Sequence, residues 1–453
     1  MNTSSAEKGI GIEVFASANP GISGFIKQRP EDFIVEEILL DGSRAERAYE
    51  PPSQLTGDNR YLICLLIKRN WDTILATRVI ARQLGINEGR IQSAGLKDKR
   101  AVTAQHISIE NIKMEELKRI TREGLTVQPL RYSPNLIFQH MLYGNTFQIV
   151  IRRIQHPRAV ITDRTEATLS RLRSLGGFPN FFGHQRFGVT RPITHKVGKA
   201  LVKGNLEQAV LLFLAEHSPW EHSQSRLARE RLSKSCDFET ALEEFPKILF
   251  YERLMLSYLN KHPDDYIGAL RQLPIRLRRL FLQAYQSYLF NYFLSERAKR
   301  EIPIERPKSG DFVLKVDSNG LPSRSYIKAT SRNLEGLWQS VKKERMCVAL
   351  PLIGFRRSTS EGVQGEIESS ILQREKLTPQ DFHIPSLPEV SAGGGLRTTV
   401  APVQGLRFEV PKDDELNPSS RKLELNFTLH RGCYATSFLR EIMKPGNLVE
   451  AGF

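Results

Sequence analysis

Asp98 lies between Lys97 and Lys99, with Arg100 following, on a segment punctuated by Gly95 (AGLKDKR, Ala94 to Arg100). Cations beside a carboxylate favour its ionised form, which is the form a nucleophile or general base needs. The same residues also describe a solvated charged turn. A second segment, PNFFGHQRFG from Pro179 to Gly188, sets phenylalanines, an amide pair and an arginine among glycines. That composition suits an unpaired base: Asn180 to hydrogen-bond its edge, Phe182 to stack on it, Arg186 to hold a phosphate. An aromatic turn packed into a core is the alternative. In a third, Gly432-Cys433-Tyr434-Ala435-Thr436 falls between a strand pattern and a helix pattern. Tyr434 either projects into a cleft at the strand's end or covers the core from a tight turn.

Other groups are less promising. Arg271, Arg276, Arg278 and Arg279, like Arg226, Arg229 and Arg231, read as RNA-facing helix surfaces or as plain solvated faces. Gly393 to Gly395 lacks the Gly-Lys-Ser/Thr of a phosphate loop and reads as a hinge. His430 and Cys433 form an isolated H-x-x-C, and His106, His184 and His195 have no metal-ligand spacing; strand-face or surface histidines are expected. The acidic run Asp413 to Glu415 reads as a solvated polar loop.

The elements that must position these residues change character along the chain. FIKQRPEDFIVEEI predicts a turn at Pro30 feeding a short strand, and Arg60 to Arg69 a stronger one. Asp72 caps a predicted helix with apolar positions Ile74, Leu75, Val79, Ile80 and Leu84, ended by Gly85. The Asp98 loop follows and leads into QHISI, a helix capped by Asn111, and alternation in TFQIVIRR. Beyond Gly188 helical patterns take over, including one from Asn205 and a long one near Pro274 with a stripe of Leu277, Leu280, Phe281, Ala284, Tyr288 and Phe293. Asn319-Gly320 marks a hairpin, residues 376 to 405 read as a long irregular connection, and KLELNFTLHRG followed by YATSFLREIMK gives a strand and a helix. No internal repeat is evident. A strand-rich start, a helical middle and a strand-helix end imply an insertion inside one domain.

The chain has 453 residues, beyond the size at which one core keeps growing, so two domains are expected. Its 40% hydrophobic content excludes global disorder. The 65 Lys and Arg against 50 Asp and Glu give a net charge of +15 and make nucleic acid the leading partner. The four cysteines are scattered without a Cys-x-x-Cys pair, so neither a zinc knuckle nor a disulfide framework is suggested. No targeting or membrane-spanning pattern stands out, and a soluble cytoplasmic protein is expected.

Five motifs in order, KQRPEDFIVEE, AGLKDKRAVTAQ, PNFFGHQRFG, QAYQSYLFN and GCYATSFLREIMK, resemble the TruD family of pseudouridine synthases through most of the chain. The resemblance implies an α+β fold: a catalytic domain with a bent mixed β-sheet, interrupted by a large mixed α/β insertion. With the segmentation above, residues 1–204 and 401–453 form the catalytic domain and 205–400 the insertion. It also implies isomerisation of uridine to pseudouridine in RNA, expected at uridine 13 of tRNA, without cofactor or metal and without an obligatory protein partner. The aspartate of GLKD maps to Asp98 as the catalytic residue. Phe33 and Asn180 match base-contacting positions, and Phe182 and Tyr434 match aromatic positions lining the same pocket. Lys27 matches a basic position able to pair with Asp98, a role for which Lys97 and Lys99 also qualify. Three chemical routes stay open: attack of the aspartate on C1′, attack on C6, or deprotonation of the sugar. Two readings from other classes are a non-catalytic RNA-binding or RNA-chaperone protein on the same fold, and an acid-dependent nuclease, which would need a carboxylate cluster for metal ions.

Overall fold

The computed structural model describes residues 3–55 and 59–453. Its centre is a nine-stranded mixed sheet, with main strand order Gln404–Phe408, Arg421–His430, Leu142–Ile154, Phe33–Leu39, Val102–Glu110, Tyr61–Arg69, Leu125–Ser133. Lys412–Asp413 and Ile91–Ser93 add to it at the side. The Phe33 and Val102 strands pair in parallel and the other neighbours are antiparallel, so the expected α+β fold with a mixed sheet is what forms. The apolar run of Tyr61–Arg69 reflects burial on both faces.

Local chemistry sets several boundaries. The Asp72 carboxylate accepts from the Ile74 and Leu75 amides at 2.9 and 3.1 Å and starts the helix Thr73–Leu84; Gly85, at φ +69°, ends it. That helix buries Ala76, Ile80, Ala81 and Leu84, whereas Ile74 and Leu75 face solvent. Asn111 caps nothing: it turns at φ +50°, and only a short 3₁₀ helix, Met114–Arg119, follows behind Lys113. The helix Ala435–Met443 is buried along its whole length, Phe438 meeting Phe427 of the sheet edge-on at 4.7 Å.

The middle of the chain builds a helical lobe around Ile275–Lys299. From Phe281 onward this helix is buried on almost every side, well beyond the expected stripe. A four-stranded sheet adjoins it: Gly395–Thr398, Met346–Leu352, Phe312–Val316, Pro322–Lys328. The last two form the hairpin expected around Asn319-Gly320. The supposed irregular connection contains short 3₁₀ turns and strands of these sheets, and of its glycines Gly394 is a packing position, at φ +85° with a Cβ there 2.6 Å from the Leu352 carbonyl oxygen. The chain entering the lobe and the chain leaving it meet in a separate two-stranded ladder, where Phe178–Pro179 pairs with Val400–Ala401. Gly177 allows this approach: it sits at φ +150°, and a Cβ there would lie 2.0 Å from the Ala401 carbonyl oxygen.

Several charged residues are inside rather than out. Arg152 is fully buried and donates to Asp32 at 2.7 Å, Asp414 at 2.7 Å and Glu415 at 2.9 Å. Asp414 and Glu415 thus clamp a buried guanidinium, whereas Asp413 stays exposed as expected of a solvated loop. Arg229, expected on an outer face, is buried against Glu221 and Glu252. Arg278 pairs with Glu389, and Arg279 donates to the Glu389 carbonyl. Arg226 and Arg276 stay exposed and without an ion-pair partner among the described residues. His184 and His195 are buried, not superficial, and burial pushes both rings down to about 4. Among the described residues no helix is long and apolar enough to cross a membrane.

Replacing Arg152 by Met leaves Asp414 buried without a counter-charge and Asp32 with only Arg29 at 3.3 Å, so Arg152→Met is expected to lose about 3 to 5 kcal/mol of unfolding free energy in urea titrations.

Candidate active site

The loop Ala94–Arg100 has no regular structure, so its main-chain groups must find partners elsewhere. They find a buried lysine. Lys68, at the end of the otherwise apolar strand Tyr61–Arg69, is 0% exposed and directs its ammonium at the carbonyls of Trp71 (2.7 Å), Asp98 (2.7 Å) and Lys97 (3.3 Å). Thr73, opening the next helix, receives the Lys97 amide on its hydroxyl at 3.1 Å. Gln105 donates to the Gly95 carbonyl at 2.9 Å. Burial pushes the Lys68 ammonium down to about 8, with the nearby charge of Asp98 opposing that shift.

Of the cations able to pair with Asp98, the structure selects Lys27, whose ammonium lies 3.0 Å from Oδ1. Lys97 turns inward to Glu37 at 2.6 Å, and Lys99 is exposed. Burial works against ionisation of Glu37, yet Lys97 and His106 hold its carboxyl below the usual range. Lys27 is itself almost enclosed, 8% exposed at the side chain against 35% for Asp98. Its backbone is left-handed at φ +58°, a cost that persists only where the surroundings enforce it. Arg100 contributes by donating to the Lys27 carbonyl at 3.1 Å. Phe33 lies beneath the ammonium, 4.2 Å from ring centroid to Nζ, and is 1% exposed, so it reaches the site through Lys27.

The second group converges on Arg397, which the sequence reading missed. Its Nη2 donates to Asn180 Oδ1 at 2.6 Å, its Nε to the Asn180 carbonyl at 2.9 Å, and its Nη1 to the Gly432 carbonyl at 3.0 Å. The guanidinium covers the Phe182 ring at 3.9 Å, and Phe182 meets Tyr434 edge-on at 6.1 Å. Asn180 also donates from Nδ2 to Thr398 Oγ1 at 2.8 Å. Arg186 leans over Phe182 at 5.5 Å, and its Nε is buried without a hydrogen-bond partner. Beside Asn180 opens a cleft of about 620 Å³ whose lining includes Arg324, Arg357, Arg397 and Arg431 and no carboxylate.

The two groups share a foundation. Phe33, Ala101 at the end of the Asp98 loop, Phe147, Phe427, and Ala435 next to Tyr434 belong to one apolar cluster. Among the described residues no group of three or more His, Cys, Asp or Glu side chains is placed to hold a metal ion. Lys68 and Glu37 had a signal in the sequence, a charge at a position where the pattern demanded an apolar side chain. Arg397 had none, because its partners are remote in the chain.

Lys68→Met removes the donors from buried carbonyls. It is expected to cost about 1 to 3 kcal/mol and to raise amide exchange selectively over residues 97–101 in hydrogen-exchange mass spectrometry.

Comparison with known proteins agrees with this architecture. A family model described as tRNA pseudouridine synthase D (TruD) matches residues 9–442. A relative from Methanosarcina barkeri named "Probable tRNA pseudouridine synthase D" is 38% identical over 98% of this chain and 98% of its own. One of the same name from Methanosarcina acetivorans is 39% identical over the same shares. The crystal structure of a TruD protein from Methanosarcina mazei superposes with a TM-score of 0.82 at 37% identity, covering 98% of this chain and 99% of that one. Matched by the family model over residues 9–442 and by relatives over nearly its whole length, the chain belongs to the TruD family.

Proposed function

We propose that this protein is a tRNA pseudouridine synthase that isomerises uridine, at position 13, with Asp98 as its catalytic residue. The observation that carries the reading is the Asp98 carboxylate, partly open to solvent and held 3.0 Å from an enclosed ammonium. The reaction breaks the bond from ribose C1′ to N1, turns the base and joins C1′ to C5. The C5 proton is lost and N1 gains one, so product and substrate are isomers and no co-substrate enters the balance. Each route open to the aspartate, attack on C1′, attack on C6 or removal of a sugar proton, starts from the ionised carboxylate. Lys27 favours that charge, and Phe33 supports Lys27 from below.

Asn180 has one amide hydrogen and one Oδ1 lone pair left after its bonds to Thr398 and Arg397. This matches the N3–H and carbonyl along the edge of uracil. Phe182 and Tyr434, bridged by Arg397, wall the base pocket, and the Arg186 guanidinium leaning over Phe182 supplies positive charge for a phosphate. The arginine-lined cleft accommodates the RNA backbone. On this reading residues 1–204 and 401–453 are the catalytic domain and 205–400 the insertion, although the helix Thr194–Val202 packs with the helical lobe. A tRNA substrate supports a cytoplasmic location.

The test is a tRNA transcript tritiated at uracil C5. Tritium release without strand cleavage supports the synthase, cleavage a nuclease, and binding without either a non-catalytic RNA-binding protein. Asp98→Asn is expected to fold and to bind tRNA as the wild type does while releasing no tritium, because the amide keeps the shape and loses the charge. Single-turnover rates of the wild type are expected to fall as pH rises through about 8, where Lys68 loses a proton and one of its three carbonyls loses its donor. In Lys68→Met the rate is low throughout and that alkaline limb is missing.

A further inference from the structure

Leu96, two residues before Asp98, is 69% exposed. A single exposed leucine needs no explanation, but this one sits on a fixed backbone. The carbonyl before it is bonded to Gln105, and the residue after it is tied to Thr73 and Lys68. Exposure alternates along the loop: the Lys97 side chain is turned in at 4%, whereas Leu96 and Asp98 face outward. Ile74 and Leu75, 51% and 46% exposed, stand on the first turn of the helix whose Thr73 binds Lys97. Leu96 therefore stands exposed two residues from the carboxylate, and Ile74 and Leu75 stand exposed on the helix to which the loop is tied.

For Asp98 to reach the ribose or base of a uridine in folded RNA, the nucleotide must leave its stack. The gap it leaves is unfavourable unless something fills it, and apolar wedges between base steps do so in other nucleic-acid complexes. We propose that Leu96 enters the gap vacated by the target uridine, and that Ile74 and Leu75 form the ledge on which the adjoining base rests. The proposal rests on the synthase reading above and extends it to how the site obtains an extruded base. A preorganised leucine suits the task because it is apolar, adds no charge beside the Lys27–Asp98 pair and is already desolvation-prone before RNA arrives.

The experiment compares wild type, Leu96→Ala and Leu96→Met. Leu96→Ala is expected to keep the melting temperature of the wild type and to lower the single-turnover rate on tRNA by roughly tenfold, with Leu96→Met recovering most of the loss. A second arm needs no turnover: tRNA carrying 2-aminopurine beside the target uridine is titrated with Asp98→Asn protein, with and without Leu96→Ala. Extrusion unstacks the probe and raises its fluorescence, and the amplitude at saturation is expected to drop several-fold when Leu96 is truncated. An unchanged rate, or a lowered rate with an unchanged amplitude, overturns the wedge; the latter would make Leu96 a support for Asp98. Wild-type protein that forms no pseudouridine in tRNA defeats the functional reading itself and the wedge with it.

Discussion

The carbonyl groups of the Asp98 loop constrain everything near the site. An irregular segment laid against a sheet cannot satisfy its own backbone, and Lys68 supplies the donors from within. The consequences spread outward. Lys68 must be buried, Lys97 must find Glu37, and Lys27 alone is left to face the Asp98 carboxylate. The carboxylate thus gains one ion-pair partner and keeps an open side, which a solvated charged turn would not provide.

The sequence showed much of this fold for identifiable reasons. Alternation marked the Arg421 strand, Phe33, Ile34 and Val35 after the Pro30 turn marked another, and Asp72 with Gly85 marked a helix, because those signals are local. The motif around Asp98 marked this loop as a candidate, but adjacent letters could not decide between lysines at 27, 97 and 99. That choice depends on which side chain turns inward, and on Glu37 waiting in the sheet. The same limit explains Asp414 and Glu415, which looked solvated because Arg152 is far away in the chain. Asn180 and Phe182 were legible as motif members, whereas Arg397, which orients both, was invisible without the lobe folded against them.

Phe182 and Phe33 were expected to touch the base. Both are nearly enclosed, one beneath a guanidinium and the other beneath an ammonium. In each pair the ring gives the cation a low-dielectric, electron-rich seat, and the cation presents charge at the surface of the site. In both pairs the aromatic ring lies inside and the polar partner makes the outermost contact.

The short ladder joining Phe178–Pro179 to Val400–Ala401 has a consequence for how this chain assembles and how it can change. Bringing those two points together from an unfolded coil closes a very long loop, but the entropy of closure grows only with the logarithm of loop length. A lobe that condenses first on its own central helix presents its two ends already side by side, and the ladder then closes at little further entropic cost. For the same reason the segment between those two points can lengthen, shorten or acquire new elements at its far side without altering the register of the sheet beside the Asp98 loop.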